Sequence, residues 1–163
     1  MKICICTTPI RPYPTNYPPF GSLAVIQALR QVGYQSDFFN IDFHRYFDQD
    51  VRRHFESHQY DVVGISAVVS TAYAYTKQLA GWIRAASPHT TIVVGGNLAA
   101  SAEILLRKTE VDFCVAGDGT ISDIRGSRVT ITPTFSRCGS GFHLPPSAAM
   151  WGWLSAARTS ASR

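Results

Sequence analysis

Residues 61–69 read DVVGISAVV, a nearly unbroken apolar run behind a single acid. A strand with one wet face alternates apolar and polar residues. A run that is apolar at almost every position needs cover on both faces, which is the situation of a strand inside a parallel sheet. Three other runs share that character: KICICTTP (2–9), TTIVVGG (90–96) and VDFCVAGDG (111–119), while SDFFNID (36–42) supplies a second strand in chain order. Gly64 and Ser66 interrupt the longest run, so no segment is predicted to cross a bilayer.

Between these runs the apolar period lengthens. Leu23, Val25, Ile26, Leu29 and Val32 fall at helical spacing, and Gly33 stands where a helix C-cap belongs. Phe47, Val51 and Phe55 lie four apart on one predicted helix face. Ala72 to Ala86 reads as a helix with Leu79, Trp82 and Ile83 inward and Pro88 as its stop; Ser101 is placed to N-cap a further helix to about Lys108, with Glu103 in its first turn. Strands alternating with helices through short connections imply right-handed crossovers and a parallel sheet. The predicted fold is therefore α/β, a flavodoxin-like (Rossmann-like) five-stranded parallel sheet of order 2-1-3-4-5 with helices on both faces. Ligands of such sheets bind beyond the carboxyl ends of the strands, here residues 7–20, 42–44, 66–71, 95–97 and 117–119.

The domain is expected to occupy residues 1–120. Up to Thr120 ten basic and ten acidic residues cancel; after it five Arg face only Asp123, so the whole positive excess lies in residues 121–163. That segment holds eight Ser, four Thr, four Gly and three Pro and neither Lys nor Glu. It reads as an Arg/Ser-rich tail, poorly structured or aberrant, in which only RVTITPTF has a strand pattern. Without a clustered basic run it is not read as a nucleic-acid arm. MKICICTTP lacks the apolar core of a signal peptide, and four cysteines without pairing motifs fit a reducing compartment, so a cytoplasmic location is expected.

Several chemistries are set aside by motif. There is no GxGxxG after the first strand and no GxxxxGK[ST]. A phospho-receiver needs an Asp at the end of the third strand, where Gly64, Ile65 and Ser66 stand. Cys4, Cys6, Cys114 and Cys138 make no CxxC or CxxxCxxC, so no metal ligands and no [4Fe–4S] cluster are expected from neighbouring positions. His54 and His58 are four apart but lack a third ligand nearby, and a solvated helix face is the simpler reading. No catalytic residue is assigned.

The blocks PPFGSLAVIQALRQVGY, YDVVGISAVVS, IVVGGNLAAS and TEVDFCVAGDGT resemble, in order, the cobalamin-binding domain that precedes the catalytic barrel of many radical SAM enzymes. The last block departs from the family's common GEGE, reading Gly117, Asp118, Gly119, Thr120. The resemblance implies a cobalamin-binding module. Ser66, Ser70 and Thr71 would donate hydrogen bonds, Gly95, Gly96 and Asn97 would flank the nucleotide tail, and Gly117, Asp118 and Gly119 would shape the rim. The glycine pair would let the backbone approach the cofactor, and Asn97 with the free amides of the next helix would donate to amide or phosphate oxygens. The proline-rich loop 9–20 is long enough to close over the corrin face. The DxHxxG by which other cobalamin proteins place a histidine on cobalt is absent from residues 7–20; Asp42-Phe43-His44 has the D-x-H spacing but follows the second strand. No protein histidine on cobalt is expected. A radical SAM catalytic domain is the implied partner, with no nucleic acid and no membrane. Two other readings stand beside this one: a cofactor-free interaction or regulatory domain of the same fold, and a truncated fragment without function. On sheet geometry alone the glycine pair is equally a strand-to-helix turn.

Overall fold

The computed structural model describes residues 1–116 and, for the backbone alone, 120–123 and 128–130. Five strands, β1 (Ile3–Thr7), β2 (Ser36–Phe39), β3 (Val62–Ser66), β4 (Thr91–Gly95) and β5 (Phe113–Ala116), pair in parallel in the order 2-1-3-4-5. That is the expected sheet, and it continues further. β6 (Thr120–Asp123) and β7 (Arg128–Thr130) add to it antiparallel, giving seven strands. RVT at the head of the RVTITPTF pattern is β7. TISD, the sequence of β6, is too short and polar to show a period of two.

Register sorts the core. Residues paired across a parallel ladder share a face, so Cys4 with Val63 and Val63 with Ile92 point to one side, and Ile3 with Val62 to the other. The first face packs Cys4, Cys6, Val63, Ile65, Ile92, Val94 and Cys114 under α3 (Asp48–Ser57), α4 (Tyr73–Ala86) and α5 (Ala102–Lys108), which contribute Val51, Phe55, Leu79, Ile83 and Leu105. The second packs Ile3, Ile5, Val62, Val93 and Val115 with Val25, Ile26 and Leu29 of α1 (Phe20–Gln31). The alternation ICIC in β1 is thus a division between two helical layers. Burial pushes the thiols of Cys4 and Cys114 up to about 12 and raises that of Cys6 well above its ordinary value, so all three act as small hydrophobes.

Local chemistry sets the helix ends. α1 starts behind Pro18 and Pro19 and stops at Gly33, whose φ of 88° lets its N–H reach Arg30 O at 3.0 Å and the Tyr34 N–H reach Leu29 O at 2.9 Å. Its buried stripe is narrower than the spacing predicts. Leu23 and Val32 are exposed, and Ser22 and Ala28 take inner places. Phe47 does not join Val51 and Phe55 inside; it precedes α3 and is 82% exposed. Trp82 is half-buried, with the Arg52 guanidinium 4.8 Å over its ring. Ser101 does sit at the N-cap of α5, though its hydroxyl makes no cap bond. A short helix that periodicity cannot announce, α2 (Ile41–His44), follows β2, capped by Asn40 and closed by Arg45 at a φ of 51°.

The amino edge of the sheet is held by Arg84. It donates to Pro88 O at 2.9 Å, Thr90 O at 2.7 Å, Glu110 O at 3.1 Å and Asp112 Oδ2 at 2.7 Å, and the same Asp112 oxygen accepts from Ile92 N at 2.8 Å. One side chain therefore ties the end of α4 to the starts of β4 and β5. Because the guanidinium is partly exposed, Arg84→Ala is expected to lower unfolding stability by about 2 kcal/mol rather than the full sum of these bonds. Urea denaturation checks it, and a change within about 0.5 kcal/mol would refute the tie.

Candidate functional site

The carboxyl ends of β1, β2 and β3 meet where β1 changes partners, with α1 on one face of the sheet and α3 on the other. A cleft of ≈ 260 Å³ opens there. Thr7 and Thr8 come from the end of β1, Asn40 and Asp42 from the end of β2, and Ser66 and Val68 from the end of β3. Residues 15–22, running from the proline-rich loop into the first turn of α1, complete the wall at Thr15, Tyr17–Ser22.

The floor is a connected polar scaffold. Thr7 Oγ1 donates to Asn40 Oδ1 at 2.8 Å and accepts from Asp42 N at 3.1 Å. Asp42, 5% exposed, accepts through Oδ1 from Ile10 N at 2.9 Å and from Arg45 Nη2 at 2.8 Å. Arg45 also donates to Tyr13 O at 2.6 Å and to Asp42 O at 2.7 Å. Thr8 gives both its N–H and its hydroxyl to Ser66 O, each at 3.2 Å. These bonds pin the near half of the loop to β2 and β3 and neutralise the Asp42 charge with Arg45.

Two hydroxyls of the wall are left over. Ser22 Oγ, on a residue 3% exposed, and Thr15 Oγ1 are buried without a hydrogen-bond partner among the described residues. α1 begins without a side-chain cap; the Phe20 and Leu23 amides bond to Pro18 O and Pro19 O, and those of Gly21 and Ser22 have no acceptor among the described residues. Around the mouth the surface is apolar. Tyr17 (75%), Phe20 (73%) and Val68 (44%) are exposed, with Tyr13 and Phe43 exposed on the neighbouring segments. A polar floor set in a mostly apolar wall suits a broad, mostly apolar ligand with a polar arm. Among the described residues the cleft presents no nucleophile paired with a base.

Of the sequence-predicted residues, Ser66 lines the cleft. Ser70 and Thr71 open a 3₁₀ turn beyond β3 and are exposed on the same edge, outside the cleft. Gly95 ends β4, buried; Gly96 and Asn97 follow it, exposed. At Gly96 the backbone that comes close is the protein's own. Its φ is 89°, and a Cβ there would lie 2.6 Å from Ala67 O. Ala67 N donates to Gly95 O at 2.9 Å and Ala67 O accepts from Leu98 N at 3.1 Å, so the glycine pair is a joint between β3 and β4. Gly117, Asp118 and Gly119 lie outside the described residues. Asn40 and Ser22 were missed by sequence reasoning. Asn40 had a usable signal as an N-cap before IDFH; Ser22 had none, being one polar residue in an apolar helix.

His44 is exposed and stacks on Tyr46 with ring centroids 5.2 Å apart. His54 and His58 stack at 4.7 Å, and His54 Nε2 meets Tyr60 OH at 3.2 Å, so the pair belongs to a packed cluster rather than a fully solvated face. Among the described residues no group of three His, Cys, Asp or Glu is arranged to hold a metal ion, and no helix is long and apolar enough to cross a membrane.

The B12 binding domain family matches this chain over residues 8–123. No curated protein matches it. Among solved structures it is similar to the radical S-adenosylmethionine methyltransferase TsrM from Kitasatospora setae with tryptophan substrate and a SAM analogue bound. That likeness has a TM-score of 0.57 and 19% identity over 72% of this chain and 23% of the other. TsrM with cobalamin and a [4Fe-4S] cluster bound gives a TM-score of 0.56 and 20% identity, covering 72% and 24%. At such identity the likeness is one of fold, and this chain spans about a quarter of the length of those structures. The match covers β2 to β5 and, from Thr8 on, the residues that line the cleft, and the chain belongs to the B12-binding domain family.

Proposed function

We propose that this chain is a cobalamin-holding module and that the cleft between β1, β3 and α1 takes the nucleotide arm of the cofactor. The observation that carries the reading is the position of the cleft: all of its lining but Thr7 lies within the span matched to the family, and it opens at the switch point with a polar floor set in a mostly apolar wall. The residues fit the group. Tyr17, Phe20 and Val68 offer apolar surface to a corrin, while Ser66 and Asn40 bring polar side chains to its arm. Ser70, Thr71 and Asn97 extend the same edge over β3 and β4, and Gly95 and Gly96 keep that edge flat. Gly117, Asp118 and Gly119 would follow β5 as its rim. The cobalt would be held without a protein imidazole, since residues 7–20 carry no DxHxxG. Bound cobalamin supplies a cobalt centre able to carry a methyl or other alkyl group; this chain's own residues bind and orient it and are assigned no catalytic step. A radical SAM catalytic domain, as in TsrM, is the fitting partner, in a reducing cytoplasm consistent with the buried thiols.

The test is retention of hydroxocobalamin after desalting, read from absorbance of the protein peak. Wild type is expected to keep close to one equivalent. Val68→Asp, a change at an exposed position of the rim, should bind at least about ten-fold more weakly, equivalent to about 1.4 kcal/mol, with unchanged circular dichroism. A folded wild type that emerges colourless would refute the proposal, and the exposed aromatic rim would then be assigned to contact with a protein partner.

A further inference from the structure

We infer that the stacked His54–His58 pair at the end of α3 is an acid-operated latch on the edge strand β2: uncharged, it clamps Phe39 and through it the Asn40 cap in the cleft floor; charged, it releases them. The inference does not depend on what the cleft binds. Its basis is a stack of rings. His54 lies flat on Phe39, with centroids 4.0 Å apart and planes 7° from parallel, and His58 stacks on His54 at 4.7 Å and 22°. Phe39 is buried at the last position of β2, and Asn40 follows it directly. The Asn40 Oδ1 accepts from Phe43 N at 3.2 Å, capping α2, and from Thr7 Oγ1 at 2.8 Å. Whatever frees the His54 ring therefore frees the strand end that holds this cap.

The hydrogen bonds fix where the protons sit. Tyr60 gives its hydroxyl proton to the Asp37 carboxylate, Oδ2 at 3.0 Å, so in the 3.2 Å contact between Tyr60 and His54 the donor is His54 Nε2. A carbonyl only accepts, so His58 donates from Nδ1 to His54 O at 3.1 Å. A further proton goes to Nδ1 of His54 and Nε2 of His58 and breaks neither bond; what opposes it is charge. Burial first and the stacked His58 second push the His54 imidazole below its ordinary value of 6.5, against the pull of Asp37. Asp37 is exposed and acts across the Tyr60 hydroxyl, and the carboxyl end of α3 favours a cation only as far as solvent leaves it unscreened. Cys4 of β1 stands behind Tyr60 with its thiol neutral, and His44 lies one ring further off, beyond Tyr46. Toward α4 the helix presents Arg52, seated over Trp82, while the exposed Arg53 pairs with Asp50. The folded chain thus holds the His54 proton less firmly than the unfolded chain, so stability is full above pH 6.5 and is lost as the pH falls below it. Carboxylates titrate lower, which leaves the range from about 6.5 to 5 to histidine.

The test follows the imidazole Cε1 protons of the full chain by NMR across this range, with amide hydrogen exchange compared at its two ends. In wild type His54 is expected to titrate below the value of a free imidazole. The His58 amide, bonded to His54 O at 2.9 Å, and the Phe43 amide on Asn40 should open at least about three-fold more often at the acid end, after correction for intrinsic exchange rates. Amides of β4 should keep their protection. His54→Gln retains a donor for Tyr60 and carries no charge, so its opening should not respond to pH. His58→Gln, at an exposed position, should bring the His54 midpoint back toward the free value and weaken the response. A wild-type His54 midpoint at or above that of free imidazole would overturn the latch. Acid opening that persists undiminished in His54→Gln would overturn it as well. Opening confined to the His58 amide, with Phe43 unaffected, would overturn the link to the cleft floor.

Discussion

Gly96→Ala is expected to destabilise the domain by about 3–4 kcal/mol, a large share of the total stability of a domain this size. Two separate effects add. With φ 89° and ψ −172° the residue occupies a region essentially reserved for glycine, so any side chain there is strained by about 1–3 kcal/mol. The new methyl would also sit 2.6 Å from Ala67 O and 2.9 Å from Ala67 C, both backbone atoms that cannot swing aside. Ala67 is fixed from two sides, by its bond to Gly95 O and by the Leu98 N–H on its carbonyl. Relief therefore means parting β3 from β4 at their carboxyl ends and exposing Leu98 and Ala99, which are 2% and 0% exposed. Gly81→Ala is the control. It lies inside α4 with nothing within 4 Å of its would-be Cβ, and should stabilise by about 0.5–1 kcal/mol through helix propensity. Urea midpoints for the two variants should move in opposite directions; a Gly96→Ala midpoint within error of wild type would show that the β3–β4 joint gives way freely. One consequence bears on function. Loss of cobalamin in a Gly96 variant would report on this joint as well as on any contact with the cofactor.

That joint also shows how far sequence reading reaches. IVVGGN marks a place where something approaches the backbone, and the structure has such a place; the approaching group is Ala67, twenty-nine residues away, which no local pattern names. Elements with several periods behind them were legible: the apolar runs of β3 and β4, the Val51–Phe55 face, and the Gly33 cap. α2 was not, since a four-residue helix has no period and rests instead on one Asn40 cap. Phe47 was placed inside because its spacing fits, yet spacing does not reveal that the helix starts one residue later. For the site, residues 7–20, 42–44 and 66–71 were placed by topology alone at the edge where the cleft opens. The selection within them leaned on Ser and Gly motifs and passed over Asn40 and Ser22, whose role depends on which face of α1 turns to the cleft. β6 and β7 lay in a segment whose serine-rich composition conceals two short strands.

Asp42→Ala should have the second largest effect, acting on both stability and binding. The carboxylate joins three segments: Ile10 of the loop, Arg45 at the end of α2, and through Arg45 the carbonyl of Tyr13. Removing it leaves the Ile10 N–H and the guanidinium without their anion in a place where the Asp42 side chain is 8% and that of Arg45 23% exposed. Breaking a fully buried pair costs about 3–5 kcal/mol; the partial exposure of Arg45 brings the expectation here to about 2–3 kcal/mol. Asp42→Asn, which keeps an acceptor for Ile10 but loses the charge, should fall between. The loop matters more than the number. Ile10 to Tyr13 are the tether of residues 15–19, the wall that faces Ser66 across the cleft, and with the tether cut the cleft loses its fixed width. Corrinoid affinity should therefore drop at least about ten-fold even at temperatures where the sheet stays folded, because a wall that must be ordered on binding subtracts its ordering entropy from the affinity. Hydrogen exchange separates the two effects. In Asp42→Ala the Ile10 amide should exchange far faster while amides of β3 and β4 keep their protection. If Ile10 remains protected and cobalamin is retained, the loop holds itself in place through its prolines, and the Asp42–Arg45 pair is no more than a surface of the fold.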